Sequence, residues 1–407
     1  EDPAEPESHS QREDFINYSK ILNSDLEGQN RKGMFVFPLY SKNSIVKSFD
    51  LSVKISSKDP VLVTGANGFV ASWLVKRLVE EGLTVHATVR DISDQRKVSH
   101  LNTISKKGPG TVKLFEADLL KKGSFLDAME KCNIVFHTAS PFIIDAKRIN
   151  NPQIDFYNPI VDGTENVIQA VEDTKTVKKV ILTSSIAAIY GDLNECLNST
   201  QGSITEKDWN KTSSMNHIPY SYSKTIGEKL AWQKAEKQNR WKLIAINPPI
   251  IVGPSIAGFS TSGSDDMIKS FVNGSLKAGA PPVSFGMVDV RDVAEAHVRA
   301  AFIKNAKGRY IILDRAVSFL EVAQILTNKF GKKETFPKKE IPKWLLWLIG
   351  PIFDKSITRR FISNSIGYKL SADNNKSIQE LKMTYVPVER ALEEMYQQLL
   401  DNKPFQV

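Results

Sequence analysis

The stretch VLVTGANGFVASWLV, residues 61–75, places two glycines and two alanines between apolar runs. Glycine loses more conformational freedom on folding than any other residue, so small residues gathered at one place mark backbone that must come close to something. Residues 61–64 read as a buried strand. Phe69, Val70, Trp73, Leu74 and Leu78 then recur three to four apart, as on one face of a helix that stops at Gly82. Gly65, Gly68 and Ala71 thus fall at a strand-to-helix turn in a GxxGxxA pattern. There the first glycine permits the tight turn, the second lets backbone approach a pyrophosphate, and the small third residue lets helix pack on strand. The helix N-terminus offers unpaired N–H groups to the phosphates. The arrangement points to a bound dinucleotide.

Working outward, short β-rich runs recur at 84–90, 112–117, 134–139, 180–185 and 242–247, with helical patterns between them. One such pattern sets Ile160, Val161, Thr164, Val167, Ile168 and Val171 on a single face. Alternating buried strands and helices predict an α/β fold with a doubly wound parallel sheet of the Rossmann type. After residue 253 the rhythm becomes irregular, with loops rich in Gly, Ser and Pro. The expected organisation is an N-terminal extension (1–58), an NADP-binding Rossmann domain (59–253) and a C-terminal region (254–407) that is mainly a smaller substrate lobe. Segments near 286–315 are expected to return to the Rossmann domain.

The end of the second strand decides which dinucleotide is bound: an acidic residue there suits a ribose 2′-hydroxyl, an arginine a 2′-phosphate. Arg90 stands at that end with Lys97 seven residues on, which favours NADP(H), while neighbouring Asp91 leaves room for NAD. Tyr220 and Lys224 are four apart on one helix face, and no other tyrosine in the chain has a lysine at that spacing. Carbonyl reduction needs a proton donor at oxygen, and a nearby ammonium would lower a phenol's pKa toward neutrality. Tyr220 is thus the candidate acid and Lys224 its tuner, also free to bond the nicotinamide ribose. Ser185, with Ser184 as the alternate, lies at a strand's carboxyl end, where a hydroxyl can hold a substrate oxygen.

These stretches, together with EADL (116–119), FHTASP (136–141), INPPIIVGP (246–254) and VDVRDVAEAH (288–297), resemble an extended short-chain dehydrogenase/reductase from residue 60 to about 400. The chain is most similar to the dihydroflavonol reductase, cinnamoyl-CoA reductase and methylglyoxal/aldehyde reductase group. The resemblance implies that Asp118 and Leu119 lie by the adenine, that the 137–140 segment lines the cofactor's ribose, and that Ser185, Tyr220 and Lys224 form the catalytic set. The cofactor-contact candidates are Thr64, Gly65, Asn67, Gly68, Phe69, Val70, Arg90, Lys97, Asp118, Leu119, Thr138, Ala139, Ser140 and Pro248. The expected activity is NADPH-dependent reduction of an aldehyde or ketone. The alternatives are a cofactor-holding structural subunit of a larger assembly, or activity of the 3β-hydroxysteroid dehydrogenase or sugar epimerase kind. No motif of the C-terminal region assigns a flavonoid or phenylpropanoid thioester substrate.

Composition narrows the field. Of 407 residues, 41% are hydrophobic and 25% charged, as in globular proteins. The net charge of +8 comes from scattered lysine pairs without a clustered basic and aromatic face, which argues against nucleic-acid binding. Cys132 and Cys196 form no CxxC and have no histidine at ligand spacing, so neither a disulfide framework nor a metal site is expected. His137 is expected to matter through its backbone, and His297 to be packed or on the surface. No apolar run is long enough to span a bilayer; the nearest, WLLWLIGPIF (344–353), reads as a buried helix or substrate lid, with contact to a membrane surface as the alternative. The first 14 residues carry six acidic groups and one arginine, and the extension they begin is a candidate for binding a protein partner. A cytoplasmic location is expected; the absence of an initiator methionine fits a processed or a truncated chain equally well, and removal of a targeting sequence would give the alternative of a mitochondrial matrix or inner-membrane-associated location.

Overall fold

The computed structural model describes residues 57–143, 148–199, 202–258, 263–353 and 357–401, all within the compact unit Ser52–Val407. The expectations for the extension fall outside these residues, apart from its last two. Seven parallel strands form the main sheet in the order β3-β2-β1-β4-β5-β6-β9. They are β1 (Val61–Val63), β2 (Thr84–Val89), β3 (Thr111–Glu116), β4 (Ile134–His137), β5 (Lys179–Thr183), β6 (Lys242–Asn247) and β9 (Gly308–Ile311). This is the doubly wound order with one strand added at the edge.

Strand alternation divides the core in two. Val61, Val63, Phe136, Ile181 and Ile244 point to one face, where they meet α1 (Phe69–Glu80), α2 (Gln95–Lys107) and α7 (Val290–Phe302). Leu62, Val135, Val180 and Leu243 point to the other, onto α3 (Leu126–Met129), α4 (Gly163–Asp173) and α5 (Pro219–Glu236). Every residue of the apolar face Ile160–Val171 is buried. The helix is not uniform, however. Gln153–Asp162 winds as a π-type turn around Pro159, which has no N–H to give, and regular α geometry begins at Gly163.

A second sheet of three strands, β7 (Ile250–Val252), β8 (Ser284–Asp289) and β10 (Arg315–Ser318), packs with α6 (Gly263–Val272), α8 (Phe319–Phe330) and α12 (Val388–Asp401) around Phe271, Phe285, Met287 and Leu392. Helices α9 (Lys343–Phe353) and α10 (Arg359–Ser365) join through Leu346, Ile362 and Ile366. Helix α11 (Asn375–Glu380) sits beside β9, where Glu380 accepts a hydrogen bond from Tyr310 at 2.6 Å. Strand order reverses between β1 and β4, and the crevice that such a reversal opens lies at the carboxyl ends of the strands.

Candidate active site

At that crevice the glycine turn is fixed by backbone. Gly65 adopts φ +61°, a conformation few side chains tolerate, and a Cβ there would meet Ala139 at 3.0 Å. Ala66 N–H donates to the Thr88 carbonyl at 2.8 Å, and Gly68 N–H to the Gly65 carbonyl at 2.8 Å. Gly68 is the N-cap of α1, so the first-turn N–H groups have no partner within the helix.

A cavity of about 1060 Å³ runs along the strand ends. It is lined by Gly65, Asn67, Gly68, Phe69, Val70, Arg90, Lys97, Asp118, Leu119, Thr138, Ala139, Ser140, Pro248, Ser185, Tyr220 and Lys224. Thr64 is the exception among the expected residues. It is fully buried behind the wall, where its hydroxyl accepts the N–H groups of Thr138 and Ala139, each at 3.0 Å, and lies 3.0 Å from His137 Nδ1. Thr64 therefore clamps the β4 loop onto the glycine turn. His137 acts here through its side chain, not only its backbone, because its other nitrogen lies 3.3 Å from Thr164 Oγ1. Burial, then the charge of Lys224, hold its pKa down to about 3, so the ring is neutral.

Arg90 is exposed and makes no ion pair among the described residues; with Asn67, Asp91 and Lys97 it surrounds an adjoining cavity of about 350 Å³. Lys97 pairs with Asp94 at 3.0 Å. Leu119 is seated against Gly163, where a Cβ would come within 2.9 Å of it, and Asn166 donates to its carbonyl at 2.9 Å. The sequence thus keeps glycine at the first position of α4 to let the Asp118–Leu119 loop close in.

On the facing side, Ile218 at φ +53° turns the chain into α5, and Pro219 occupies the first helical turn, where its missing N–H costs nothing. Tyr220 follows, its ring packed by Phe142 at 5.1 Å and Phe156 at 5.8 Å. Burial raises its pKa above that of a free phenol, and a hydrogen bond with Ser185 only partly offsets this. The expected depression of Tyr220 by Lys224 does not occur in this structure. The Lys224 ammonium is engaged elsewhere, donating to the Thr183 carbonyl at 3.0 Å and to Ser140 Oγ at 3.2 Å. Burial lowers its own pKa to about 8, against the attraction of Glu228. The two candidate serines separate clearly. Ser184 gives its hydroxyl to Glu228 at 2.5 Å, whereas Ser185 caps the following turn by accepting from Ala187 N–H at 3.1 Å and turns toward Tyr220.

Residues 61–312 match the NAD dependent epimerase/dehydratase family. A cinnamoyl-CoA reductase of Medicago truncatula is 34% identical over 348 residues, covering 84% of this chain and 96% of that protein. A dihydroflavonol 4-reductase of Gerbera hybrida is 35% identical, covering 66% of this chain and 72% of the relative. Among solved structures, Gre2 of Candida albicans in complex with NADPH superposes with a TM-score of 0.65 at 28% identity, over 84% of this chain and 99% of that one.

This chain belongs to the NAD dependent epimerase/dehydratase family. It is an NAD(P)-dependent reductase of the extended short-chain dehydrogenase/reductase kind. The residues fit a nucleotide cofactor: the glycine turn leaves backbone bare along the cavity, and the cavity is large even for a pocket that holds a drug-sized ligand.

One part of this reductase's site has no motif in the sequence reading. Glu228, one turn beyond Lys224, is buried and accepts hydrogen bonds from Arg309 Nε at 2.7 Å, Asn247 Nδ2 at 2.8 Å, Trp232 Nε1 at 3.1 Å and Ser184. Asn247 also donates to the Ser185 carbonyl at 3.0 Å, and Arg309 stacks 3.8 Å from the Trp209 ring. The available signal was a glutamate four residues after Lys224 on a helix face that is otherwise buried. Asn247, within the INPPIIVGP stretch, is a working hydrogen-bond donor. His297 is packed, as read, with Nε2 2.7 Å from Thr183 Oγ1 and its pKa lowered to about 4 by burial.

Proposed function

We propose that this protein reduces an aldehyde or ketone with NADPH, with Tyr220 as proton donor, Ser185 positioning the carbonyl oxygen and Lys224 supporting the nicotinamide ribose. The observation that carries the reading is the convergence of Ser185, Tyr220 and Lys224 on one cavity with the glycine turn. NADPH, when bound, supplies the hydride. Gly65, Gly68 and the α1 N-terminus would hold its pyrophosphate, Arg90 and Lys97 the 2′-phosphate, Asp118 and Leu119 the adenine, and Thr138, Ala139, Ser140 and Pro248 the ribose and nicotinamide side.

A phenol held protonated by burial suits the reductive direction, because the acid must carry its proton until the carbonyl oxygen gains negative charge. Ser185 faces Tyr220, so an oxygen between the two hydroxyls would be gripped by both. The Lys224 ammonium is poised on the Thr183 carbonyl and Ser140 at the same end of the cavity. The Gre2 structure's bound NADPH and the reductases among the relatives support this reading.

The test is NADPH oxidation with methylglyoxal, an aromatic aldehyde and an aliphatic ketone, with NADH as control. General acid catalysis typically supplies about 10²–10⁴-fold, so Tyr220→Phe is expected to lose activity by that factor while still binding NADPH. Tight NADPH binding with no turnover on any carbonyl would overturn the reductase assignment, and undiminished activity in Tyr220→Phe would remove Tyr220 from the mechanism.

A further inference from the structure

Helix α9 presents an apolar stripe to solvent. Trp344 is 66% exposed, Trp347 41%, Leu348 49% and Ile352 79%, at spacings that put all four on one helix face. The opposite face supplies Leu346 to the contact with α10. The helix is therefore not buried on this face, and Pro351 is accommodated in its last turn rather than ending it. Two exposed tryptophans beside leucine and isoleucine form a patch that folded proteins rarely leave in water without a use.

The surrounding charge indicates the partner. From residue 332 to 360 the chain carries eight lysines and arginines against three acidic residues. Lys338, Lys339, Arg359 and Arg360 are exposed, and the Arg359 guanidinium lies 4.8 Å from the Trp347 ring. Eleven residues are too few to cross a bilayer, and no described helix is long and apolar enough to do so. Tryptophan favours the headgroup level of a membrane, and clustered lysine and arginine are drawn to anionic lipid. A second copy of the chain is a poor occupant, since a symmetric contact through α9 would oppose two strongly basic segments.

We propose that α9 seats this protein on anionic membrane surfaces, lying in the headgroup plane with Trp344, Trp347, Leu348 and Ile352 inserted and the flanking basic residues on the lipid phosphates and carboxylates. This holds whatever the enzyme reduces, because none of these side chains belongs to the cofactor or catalytic set.

The experiment is co-sedimentation of the full chain with vesicles of phosphatidylcholine alone and of equal parts phosphatidylcholine and phosphatidylserine. Binding is expected to the mixed vesicles, about tenfold weaker to phosphatidylcholine, and reduced by high salt. The double variant Trp344→Glu/Ile352→Glu is expected to lose it at unchanged melting temperature, since both side chains are exposed. Lys338→Glu/Lys339→Glu is expected to lose the preference for phosphatidylserine. No sedimentation with the mixed vesicles, or sedimentation indifferent to both variants, overturns the proposal. So does a doubled mass in solution that Trp344→Glu/Ile352→Glu returns to one chain, which would make the stripe a contact between copies.

Discussion

One wall of the cavity is made of backbone and the facing wall of side chains. The first is assembled from the ends of β1, β2 and β4, which are neighbours in the sheet, and depends on Gly65 at positive φ, on Gly68 and on the Thr64 hydroxyl that ties the two loops together. The second sets Ser185 just beyond β5 and Tyr220 and Lys224 on α5. It is braced from beneath by Glu228, whose main partner, Arg309, is 81 residues away on β9. A backbone wall needs residues that stay out of the way. A side-chain wall needs a buried network that holds several polar groups at once, and such a network stands or falls as a unit.

The largest effect expected from this contrast is at Glu228. The Glu228→Gln variant leaves Arg309 without its carboxylate in a buried site and turns an amide toward Ser184 and Asn247, both already donors. Breaking a buried pair from one side typically costs about 3–5 kcal/mol, and urea denaturation is expected to show a loss of that order. The surviving folded enzyme should lose turnover more than NADPH affinity, because Ser185 and Lys224 are displaced while the glycine wall is untouched. A loss below about 1 kcal/mol, within the range of an ordinary hydrogen bond, would mean that the side-chain wall does not rest on this network.

The same contrast explains what could be read from the residues alone. The strand runs, the α1 stripe and the glycine spacing carry their own geometry in a few consecutive residues, so the parallel sheet and the nucleotide turn were legible. Tyr220 and Lys224 were legible as a pair because four residues make one helical step. Their electrostatics were not. Spacing shows that a phenol and an ammonium share a face, but burial by Phe142 and Phe156, and the carbonyl of Thr183 that takes up the ammonium, come from elements far along the chain. The partnership of Arg309 and Asn247 with Glu228 was illegible for the same reason. For α9 the apolar run was legible and membrane contact stood beside burial as an alternative, but only the fold shows which side of the helix has a partner.

The backbone wall can be tested through Arg90, its exposed cation without an ion pair among the described residues. Arg90 stands with Lys97 beside Asn67, so Arg90→Ala should leave the fold and the carbonyl chemistry intact. A charge-assisted hydrogen bond contributes about 1.5–3 kcal/mol, which predicts a fall of roughly 10–100-fold in NADPH affinity with NADH affinity unchanged. Equal losses for both nucleotides, measured by fluorescence titration, would place Arg90 outside 2′-phosphate recognition and leave cofactor choice to Asn67, Asp91 or Lys97.

The smallest effect belongs to Lys224 and is read from pH. Burial lowers its pKa to about 8 from an ordinary value of 10.5. Between those two pH values the unfolded chain keeps a proton that the folded chain has released, so the contribution of Lys224 to stability rises with pH across the window. Activity should move the other way. Tyr220 stays protonated well above neutrality, so Lys224 titrates before it as pH increases, and its neutral form no longer offers the charge with which it would hold the nicotinamide ribose from its place on the Thr183 carbonyl and Ser140. The value of kcat/KM for NADPH reports groups of the free enzyme, and it is expected to fall by half near pH 8 and to continue downward. Lys224→Arg, whose guanidinium keeps its charge, should be slower but flat through the same range. If the limb persists in Lys224→Arg, the titration belongs to another group and the side-chain wall owes its pH dependence to something other than its lysine.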